Sequence, residues 1–318
     1  MRFIKMLIFA AFVAALGLYY FVYVMSPQAT DFFIRYERDA AKLTRKEVVL
    51  PDGFHYVYLE GGHGEPLVLL HGFGGNKDQF VRIAKFLTPH YHVIIPDLLG
   101  FGESSRPKGI DVPVKVEYTA RAQAERVRNL LQSLELTSVH LAGNSMGGQI
   151  ALAYAAAHPK EVDSLWLLSP AGIWSAPQSE LAKIVEGERH NVLLIRNTDD
   201  FYRAFQFVMS KPPVIPRPIL NVMAQDSIKY EPLSEKIFIE FTSESIEQRV
   251  KGMKTPTLIV WGDEDRVINH LTAEILYKMM PRSRVVIMKG IGHMPMLESP
   301  EQCAEDYLYF RFKLGASE

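Results

Sequence analysis

The chain is 318 residues long and 48% hydrophobic, so it can bury a large core in one α/β domain with an insertion or in two domains. The formal net charge of −1 and the pI of about 6.8 exclude a global attraction to nucleic acid. We find no P-loop, zinc-type Cys/His cluster or calcium loop in the sequence, so we expect no metal or organic cofactor. Cys303 is the only cysteine, which excludes an intrachain disulfide.

The N-terminal segment is predicted to anchor the protein in a membrane. Leu7 to Met25 contains no charged residue and would form a helix about 28 Å long, close to the thickness of the bilayer hydrocarbon. A cleaved signal peptide is the alternative, but the run is longer than a typical signal core and is followed by a poor cleavage site. Residues 1–30 are therefore predicted to be an uncleaved single-pass anchor. Basic residues on both sides of the run leave its orientation open.

Residues 31–46 are predicted to form a charged amphipathic helix that links this anchor to the rest of the chain. Phe32, Phe33, Tyr36 and Leu43 can share one broad apolar face of such a helix. That face either lies on the membrane surface or packs against the following domain, and the sequence leaves both possibilities open.

Residues 47–172 are predicted to form the first part of a mostly parallel, doubly wound sheet. A solidly apolar strand there runs directly into His71-Gly72-Phe73-Gly74-Gly75, a glycine-rich loop whose backbone N–H groups are free to point at a ligand. His71 is predicted to orient this loop and not to transfer protons. Asp97 begins a later tight turn, where a carboxylate usually accepts backbone N–H bonds, so it is also predicted to be structural.

A second buried strand leads into Gly143-Asn144-Ser145-Met146-Gly147, a G-x-S-x-G pattern that an Ala-rich helix follows at once. Alone, this short pattern also occurs by chance at ordinary glycine-bounded turns. Between a strand and a helix it is the nucleophile elbow of α/β hydrolases, which presents the Ser145 hydroxyl at a helix N-terminus. In that fold the N–H after the nucleophile and one from the earlier loop form the oxyanion hole, so we predict Met146 and Phe73 as the donors.

Residues 173–248 are predicted to be a helical cap, because the regular alternation of strands and helices stops there. The many apolar residues of this segment either pack the cap onto the core or line an acyl-chain pocket. Residues 249–318 are predicted to complete the sheet. Its two remaining strands end in Gly262-Asp263-Glu264-Asp265 and before Gly290-Ile291-Gly292-His293.

Three candidate catalytic groups thus follow strand ends in the order Ser145, Asp265, His293. A serine hydroxyl is a weak nucleophile at neutral pH and needs an adjacent base, which a histidine can supply. The imidazole in turn needs a carboxylate to fix its tautomer and orientation. Asp263 and Asp265 compete for this role, and we favour Asp265 because it lies further into its loop.

Four motifs together resemble the α/β-hydrolase superfamily: LLHGFGGNKDQF, LAGNSMGGQIAL, WGDEDRVI and GIGHMPMLESP. Within it the chain looks most like membrane-bound monoacylglycerol lipases and related bacterial lipases, which carry one transmembrane helix directly before the hydrolase domain. The resemblance implies that Ser145 is the nucleophile, His293 the base, Asp265 the acid, and Phe73 and Met146 the oxyanion donors.

The sequence therefore predicts a membrane-anchored serine carboxylester hydrolase, a monoacylglycerol lipase or esterase, with a lipid or ester substrate. GNSMGG is also similar to the elbow of meta-cleavage-product hydrolases, which split carbon–carbon bonds with the same triad but are typically soluble. Haloalkane dehalogenases and epoxide hydrolases have aspartate at the elbow, so Ser145 argues against both. A non-catalytic binding protein with a hydrolase fold is the last alternative, and an intact triad argues against it.

Overall fold

The computed structural model describes residues 2–107, 116–188 and 190–316. Within them, eight strands form one sheet in the order β1-β2-β4-β3-β5-β6-β7-β8. β2 pairs antiparallel with β1 and β4, whereas the other neighbouring strands are parallel. The predicted mostly parallel α/β-hydrolase sheet is therefore confirmed. The strands are β1 Thr44–Val49, β2 His55–Gly62, β3 Pro66–Leu70, β4 His92–Pro96, β5 Val139–Asn144, β6 Val162–Leu168, β7 Thr257–Gly262 and β8 Ser283–Met288.

Helices cover both faces of this sheet, and a helical segment interrupts it between β6 and β7. A 3-10 turn over Lys77–Phe80 follows β3 and leads into a helix. The α-helices are α1 Arg2–Tyr23, α2 Ser26–Ala40, α3 Val81–Leu87, α4 Ala120–Ser133, α5 Met146–Ala157, α6 Glu180–Glu188, α7 Thr198–Val208, α8 Arg217–Lys229, α9 Glu231–Phe241, α10 Glu247–Val250, α11 Thr272–Met279, α12 Pro295–Glu298 and α13 Pro300–Gly315.

In the part of the chain that the structure describes, two apolar layers cover the sheet, one on each face. Along β3, Val68 and Leu70 point into the layer formed with α4, α5 and α11, while Leu67 and Leu69 point into the layer formed with α3 and α13. Because side chains alternate along a strand, a sheet covered on both sides needs apolar residues at every position. The strand β3 is apolar at every position because both faces of the sheet are covered.

The carboxyl ends of the parallel strands meet at one edge of the sheet, and the loops that follow β3, β5, β7 and β8 lie there. Ligands of open α/β sheets bind outside this edge. Helices α6, α7 and α9, which belong to the segment predicted as a cap, also contact these loops, as described below.

Helix α1 is 22 residues long and apolar enough to cross a membrane. Almost all of its residues are exposed, and Val22 is its one residue in the described core. Water solvates the surface of such a helix poorly, and the core of a bilayer would accommodate it.

Helix α2 differs from the helix predicted over residues 31–46. It ends at Ala40, because Lys42 adopts a left-handed φ of 54° and the Leu43 N–H donates to the carbonyl of Arg38. This 6→1 bond terminates a helix in the way of a Schellman motif. The predicted helix was therefore wrong for residues 44–46, which belong to β1, and Leu43 lies in the buried turn between the two elements.

The two faces of α2 have different surroundings. Its polar face binds the domain, where the Arg38 guanidinium donates to the Asp78 carboxylate over 2.6 and 2.7 Å. Its aromatic side chains Phe32, Phe33 and Tyr36 are exposed. The linker helix is therefore fixed to the domain through its polar face, and its aromatic face is exposed.

Candidate active site

Ser145 occupies a strained turn between β5 and α5. Its φ of 54° and ψ of −118° lie in a region that non-glycine residues rarely adopt. The turn brings backbones so close that a Cβ on Gly147 would overlap the carbonyl oxygen of Leu70, and one on Gly143 would overlap the backbone of Gly147. The glycines of the G-x-S-x-G pattern are thus required by close approach, as expected for a nucleophile elbow. Ser145 itself is 9% exposed.

His293 and Asp265 form a buried pair. The Nδ1 atom of His293 lies 2.7 Å from Oδ2 of Asp265, and the same oxygen accepts a 2.9 Å bond from the indole N–H of Trp261. The other oxygen accepts the backbone N–H groups of Val267 and Ile268 at 2.8 and 3.0 Å. The Asp265 carboxylate is therefore held in one orientation and can fix the imidazole tautomer with Nε2 free to act as a base.

Asp263, the competing acid, has a different environment. Its Oδ1 accepts the backbone N–H of Gly290 at 2.7 Å, at the start of the loop that carries His293. The structure thus brings Asp265, and not Asp263, beside the imidazole.

Asn144 connects the elbow to the histidine loop. Its side-chain amide donates to the carbonyl of His293 at 3.1 Å and to that of Leu168 at 3.0 Å. Within the described residues, Ser145 Oγ and His293 Nε2 share no hydrogen bond. Catalytic hydrogen bonds of this kind are often long in a free enzyme and tighten when substrate binds.

The glycine-rich loop after β3 lies directly against the elbow. A Cβ on Gly72 would be 3.3 Å from the Cβ of Ser145. In the part of the chain that the structure describes, the backbone N–H groups of Phe73 and Met146 have no hydrogen-bond acceptor. Two free donors therefore flank the serine, which is the requirement for an oxyanion hole.

His71 holds the start of this loop. Its Nδ1–H donates to the carbonyl of Gly72 at 2.8 Å, and its Nε2 accepts the N–H of Leu98 at 3.0 Å. Burial lowers the pKa of the imidazole and so favours its neutral form. Both ring nitrogens of the neutral imidazole thus form hydrogen bonds within the protein, which agrees with the predicted structural role of His71.

A buried ion pair follows the same loop. Asp97 accepts the backbone N–H of Lys77 at 2.7 Å and that of Glu103 at 2.7 Å, and its Oδ2 lies 2.9 Å from Lys77 Nζ. Lys77 is 2% exposed. Burial alone would lower the pKa of its ammonium group, but the neighbouring carboxylates, Asp97 first, raise it above its ordinary value. The predicted structural role of Asp97 agrees with these bonds.

An aromatic cluster joins the Phe73 loop to the helical segment. The Phe73 ring centroid lies 5.2 Å from that of Phe238 and 5.7 Å from that of Phe241, both in α9, and 6.0 Å from that of Phe101. These side chains place apolar surface next to the two free N–H groups.

Two residues that the sequence analysis missed join the helical segment to the candidate site. The Gln149 side-chain amide, on the elbow helix, donates to the carbonyls of Phe241 and Glu244. The Glu298 carboxylate accepts backbone N–H bonds from the histidine loop and from the segment that follows α7. Both residues lie within motifs quoted above, LAGNSMGGQIAL and GIGHMPMLESP, but the motifs do not show these roles, because the partners in the helical segment are backbone groups far away in sequence. Among the described residues, no group of His, Cys, Asp and Glu side chains is arranged to hold a metal ion.

Known proteins resemble this chain over most of its length. Lipase 1 of Psychrobacter immobilis is 45% identical over 92% of both chains. Monoacylglycerol lipase abhd6-A of Xenopus laevis is 29% identical over 81% of this chain and 78% of its own. The crystal structure of a membrane phospholipase A, a bacterial virulence factor, aligns with a TM-score of 0.86 and 35% identity over 98% of this chain and 99% of that one.

The family model of the alpha/beta hydrolase fold matches residues 65–300, which include the elbow, the glycine-rich loop and the His293–Asp265 pair. The sheet order, the strained serine and the similarity to named lipases agree with this match. The chain is therefore a member of the α/β-hydrolase family.

Proposed function

We propose that the protein is a membrane-anchored serine carboxylester hydrolase that acts on acylglycerols. One observation carries this proposal: Ser145 sits at a strained elbow, beside two free N–H groups and the buried His293–Asp265 pair. The relatives named lipase support an ester as the substrate. The α/β-hydrolase fold alone does not identify the substrate, because one fold hosts many reactions.

In the first half of the reaction, His293 Nε2 takes the proton of Ser145 as its Oγ attacks the ester carbonyl carbon. The N–H groups of Phe73 and Met146 stabilise the negative charge that forms on the carbonyl oxygen. Asp265 stabilises the imidazolium. The bond to the leaving alcohol then breaks, and His293 donates its proton to the alcohol oxygen.

In the second half, water hydrolyses the acyl-enzyme. His293 takes one proton of the water as its oxygen attacks the acyl carbon, and the same two N–H groups again stabilise the oxyanion. The bond to Ser145 Oγ breaks, His293 returns the proton to this oxygen, and a fatty acid leaves. Splitting one difficult step into two easier ones is the purpose of a covalent intermediate.

We also propose that α1 spans the membrane once and brings the site to lipid substrates. Its length, composition and exposure support an anchor. A tethered enzyme meets amphiphiles of the same bilayer at a high effective concentration. The relatives named monoacylglycerol lipase and phospholipase A support glycerol esters as the substrate class.

The activity is tested by the turnover of a substrate panel with the full-length protein in detergent. The panel contains monoacylglycerols of several chain lengths, a phosphatidylcholine, p-nitrophenyl esters and a dienoate of the type that meta-cleavage-product hydrolases split. We expect hydrolysis of the esters and a kcat at least about 10⁴-fold lower in Ser145→Ala. Turnover of the dienoate alone would favour carbon–carbon hydrolysis, and no turnover of any substrate would favour a binding protein.

The anchor is tested separately, by comparing the full chain with a protein that begins at Met25 and so keeps α2. We expect the full chain to resist a carbonate wash of membranes and to retain residue 1 or 2 by mass spectrometry. The shortened protein should hydrolyse soluble esters normally but bilayer monoacylglycerol more slowly. A mature, soluble form that starts near Thr30 would contradict the anchor, and equal rates on bilayer substrate would contradict the tethering argument.

A further inference from the structure

Glu298, the last residue of α12, binds the loop that carries the candidate base. Its carboxylate accepts the backbone N–H of Gly292 at 2.9 and 3.1 Å and that of Met294 at 3.1 Å. These two residues flank His293 on either side. The carboxylate therefore fixes the backbone on both sides of the residue whose imidazole must reach Ser145.

The same carboxylate also binds the segment that follows α7. Its Oε2 accepts the backbone N–H of Ser210 at 2.8 Å and that of Lys211 at 2.9 Å. One half-buried side chain thus receives backbone N–H groups from two segments about 80 residues apart in sequence. Only an acceptor with two equivalent oxygens can serve all four donors at once.

A direct backbone bond reinforces this junction. The N–H of His293 donates to the carbonyl of Val208, the last residue of α7, at 2.8 Å. The segments are so close that a Cβ on Gly292 would lie 2.7 Å from the Ser210 nitrogen and 3.0 Å from the carboxylate. The histidine loop therefore packs closely against residues 208–211.

We propose that Glu298 is a positioning residue for the hydrolysis: it ties the His293 loop to residues 208–211 and so sets the position of the imidazole. The inference rests on the proposed function, since it assigns to His293 the role of the base. Glu298 acts through the backbone and not on the substrate. Any movement of residues 208–211 is thereby transmitted to the base, which connects the helical segment to catalysis.

The sharpest test is Glu298→Gln, which keeps the size of the side chain but replaces one acceptor oxygen by an NH₂ group that faces N–H donors. A displaced imidazole slows proton transfer, and a shift of 1 Å in a catalytic group can cost about 100-fold in rate. We expect kcat on a p-nitrophenyl ester to fall by roughly 10- to 100-fold with KM unchanged. The rate at which a fluorophosphonate labels Ser145 should fall by the same factor at temperatures well below unfolding. Glu298→Asp, which keeps both oxygens but is shorter, should recover part of this loss.

Glu180→Gln is the matched control. Glu180 lies in the helical segment, and its carboxylate, like that of Glu298, binds a loop near the site, here through an exposed ion pair with Arg266 at 2.8 Å. This variant should keep the kcat of the wild type, because exposed ion pairs contribute little.

The proposal is overturned if folded Glu298→Gln keeps the wild-type kcat and labelling rate, or if it changes only KM. It is also overturned if neither Glu298→Gln nor Glu298→Asp folds, since the residue would then serve stability and not position. Different results contradict the proposed function and the proposed role of Glu298. Full activity in Ser145→Ala contradicts the proposed function itself, whereas full activity in Glu298→Gln beside an inactive Ser145→Ala contradicts this inference alone.

Discussion

The carboxylate of Asp265 and the imidazole of His293 meet at 2.7 Å, in a pair from which water is nearly excluded. Bonds from Trp261 and from two backbone N–H groups hold the carboxylate independently of the imidazole. The acid loop thus fixes the carboxylate that orients the ring. A preorganised pair of this kind loses little by reorganising during the reaction.

Asp265→Asn is predicted to lower kcat by about 10⁴-fold with the fold intact, because an amide in this place favours the wrong imidazole tautomer. Asp263→Asn is the control, since its carboxylate binds only the Gly290 end of the histidine loop in this site. It should reduce kcat far less. The measurement is ester turnover beside a thermal unfolding curve for each variant. A greater loss in Asp263→Asn, with both proteins folded, would reverse the assignment of the acid.

Lys77→Met is predicted to lower the free energy of unfolding by about 3 kcal/mol, because it leaves the buried Asp97 carboxylate without its cation. Arg35→Met breaks the Asp31–Arg35 pair, whose side chains are 59% and 71% exposed, and should change the same quantity by less than about 0.5 kcal/mol. Urea unfolding measures both values. Equal effects of the two substitutions would show that the buried pair has no special role in holding the glycine-rich loop.

The stability of the protein is predicted to fall as the pH falls below about 6.5. Burial lowers the pKa values of His71 and His140 in the folded state, and the positive charge of Arg311 adds to the effect at His140. The unfolded chain therefore binds more protons in this range, and each histidine can remove up to about 1.4 kcal/mol per pH unit. Carboxylates whose pKa values are lowered in the folded state, such as Glu161, reduce the stability only at lower pH, below about 4.5.

Urea unfolding between pH 5.0 and 7.5 checks this prediction, with His71→Gln as the comparison. A glutamine cannot gain a proton, so the variant should lose less stability than the wild type as the pH falls. A wild-type protein that is as stable at pH 5 as at pH 7, or a variant with an unchanged slope, would contradict the argument.

The candidate site was largely predictable because its main residues are marked by local patterns at strand ends. Glycines on both sides of Ser145 indicate a close-packed turn, and the order of serine, aspartate and histidine after successive strands brings them to one edge of the sheet. Asp265 was favoured over Asp263 because it lies further into the loop after its strand. The observed hydrogen bonds of the two carboxylates agree with this choice.

Other features depend on contacts that sequence patterns do not record. Helix α2 ends early because Lys42 adopts a left-handed conformation that is more usual for glycine, so no glycine marked the end. Glu298 and Gln149 bind backbone groups of distant segments, and any residue type can supply a backbone N–H or carbonyl. The roles of Glu298 and Gln149 can be seen only in the folded structure.

Mapping the covalent adduct that forms when the full-length protein reacts with a fluorophosphonate tests whether Ser145 is the nucleophile. We predict one adduct by intact mass, located on Ser145 by peptide mass spectrometry, absent from Ser145→Ala and formed at least about 10³-fold more slowly in His293→Ala. An adduct on a different residue, or ester turnover at the wild-type rate in folded Ser145→Ala, would contradict this role of Ser145.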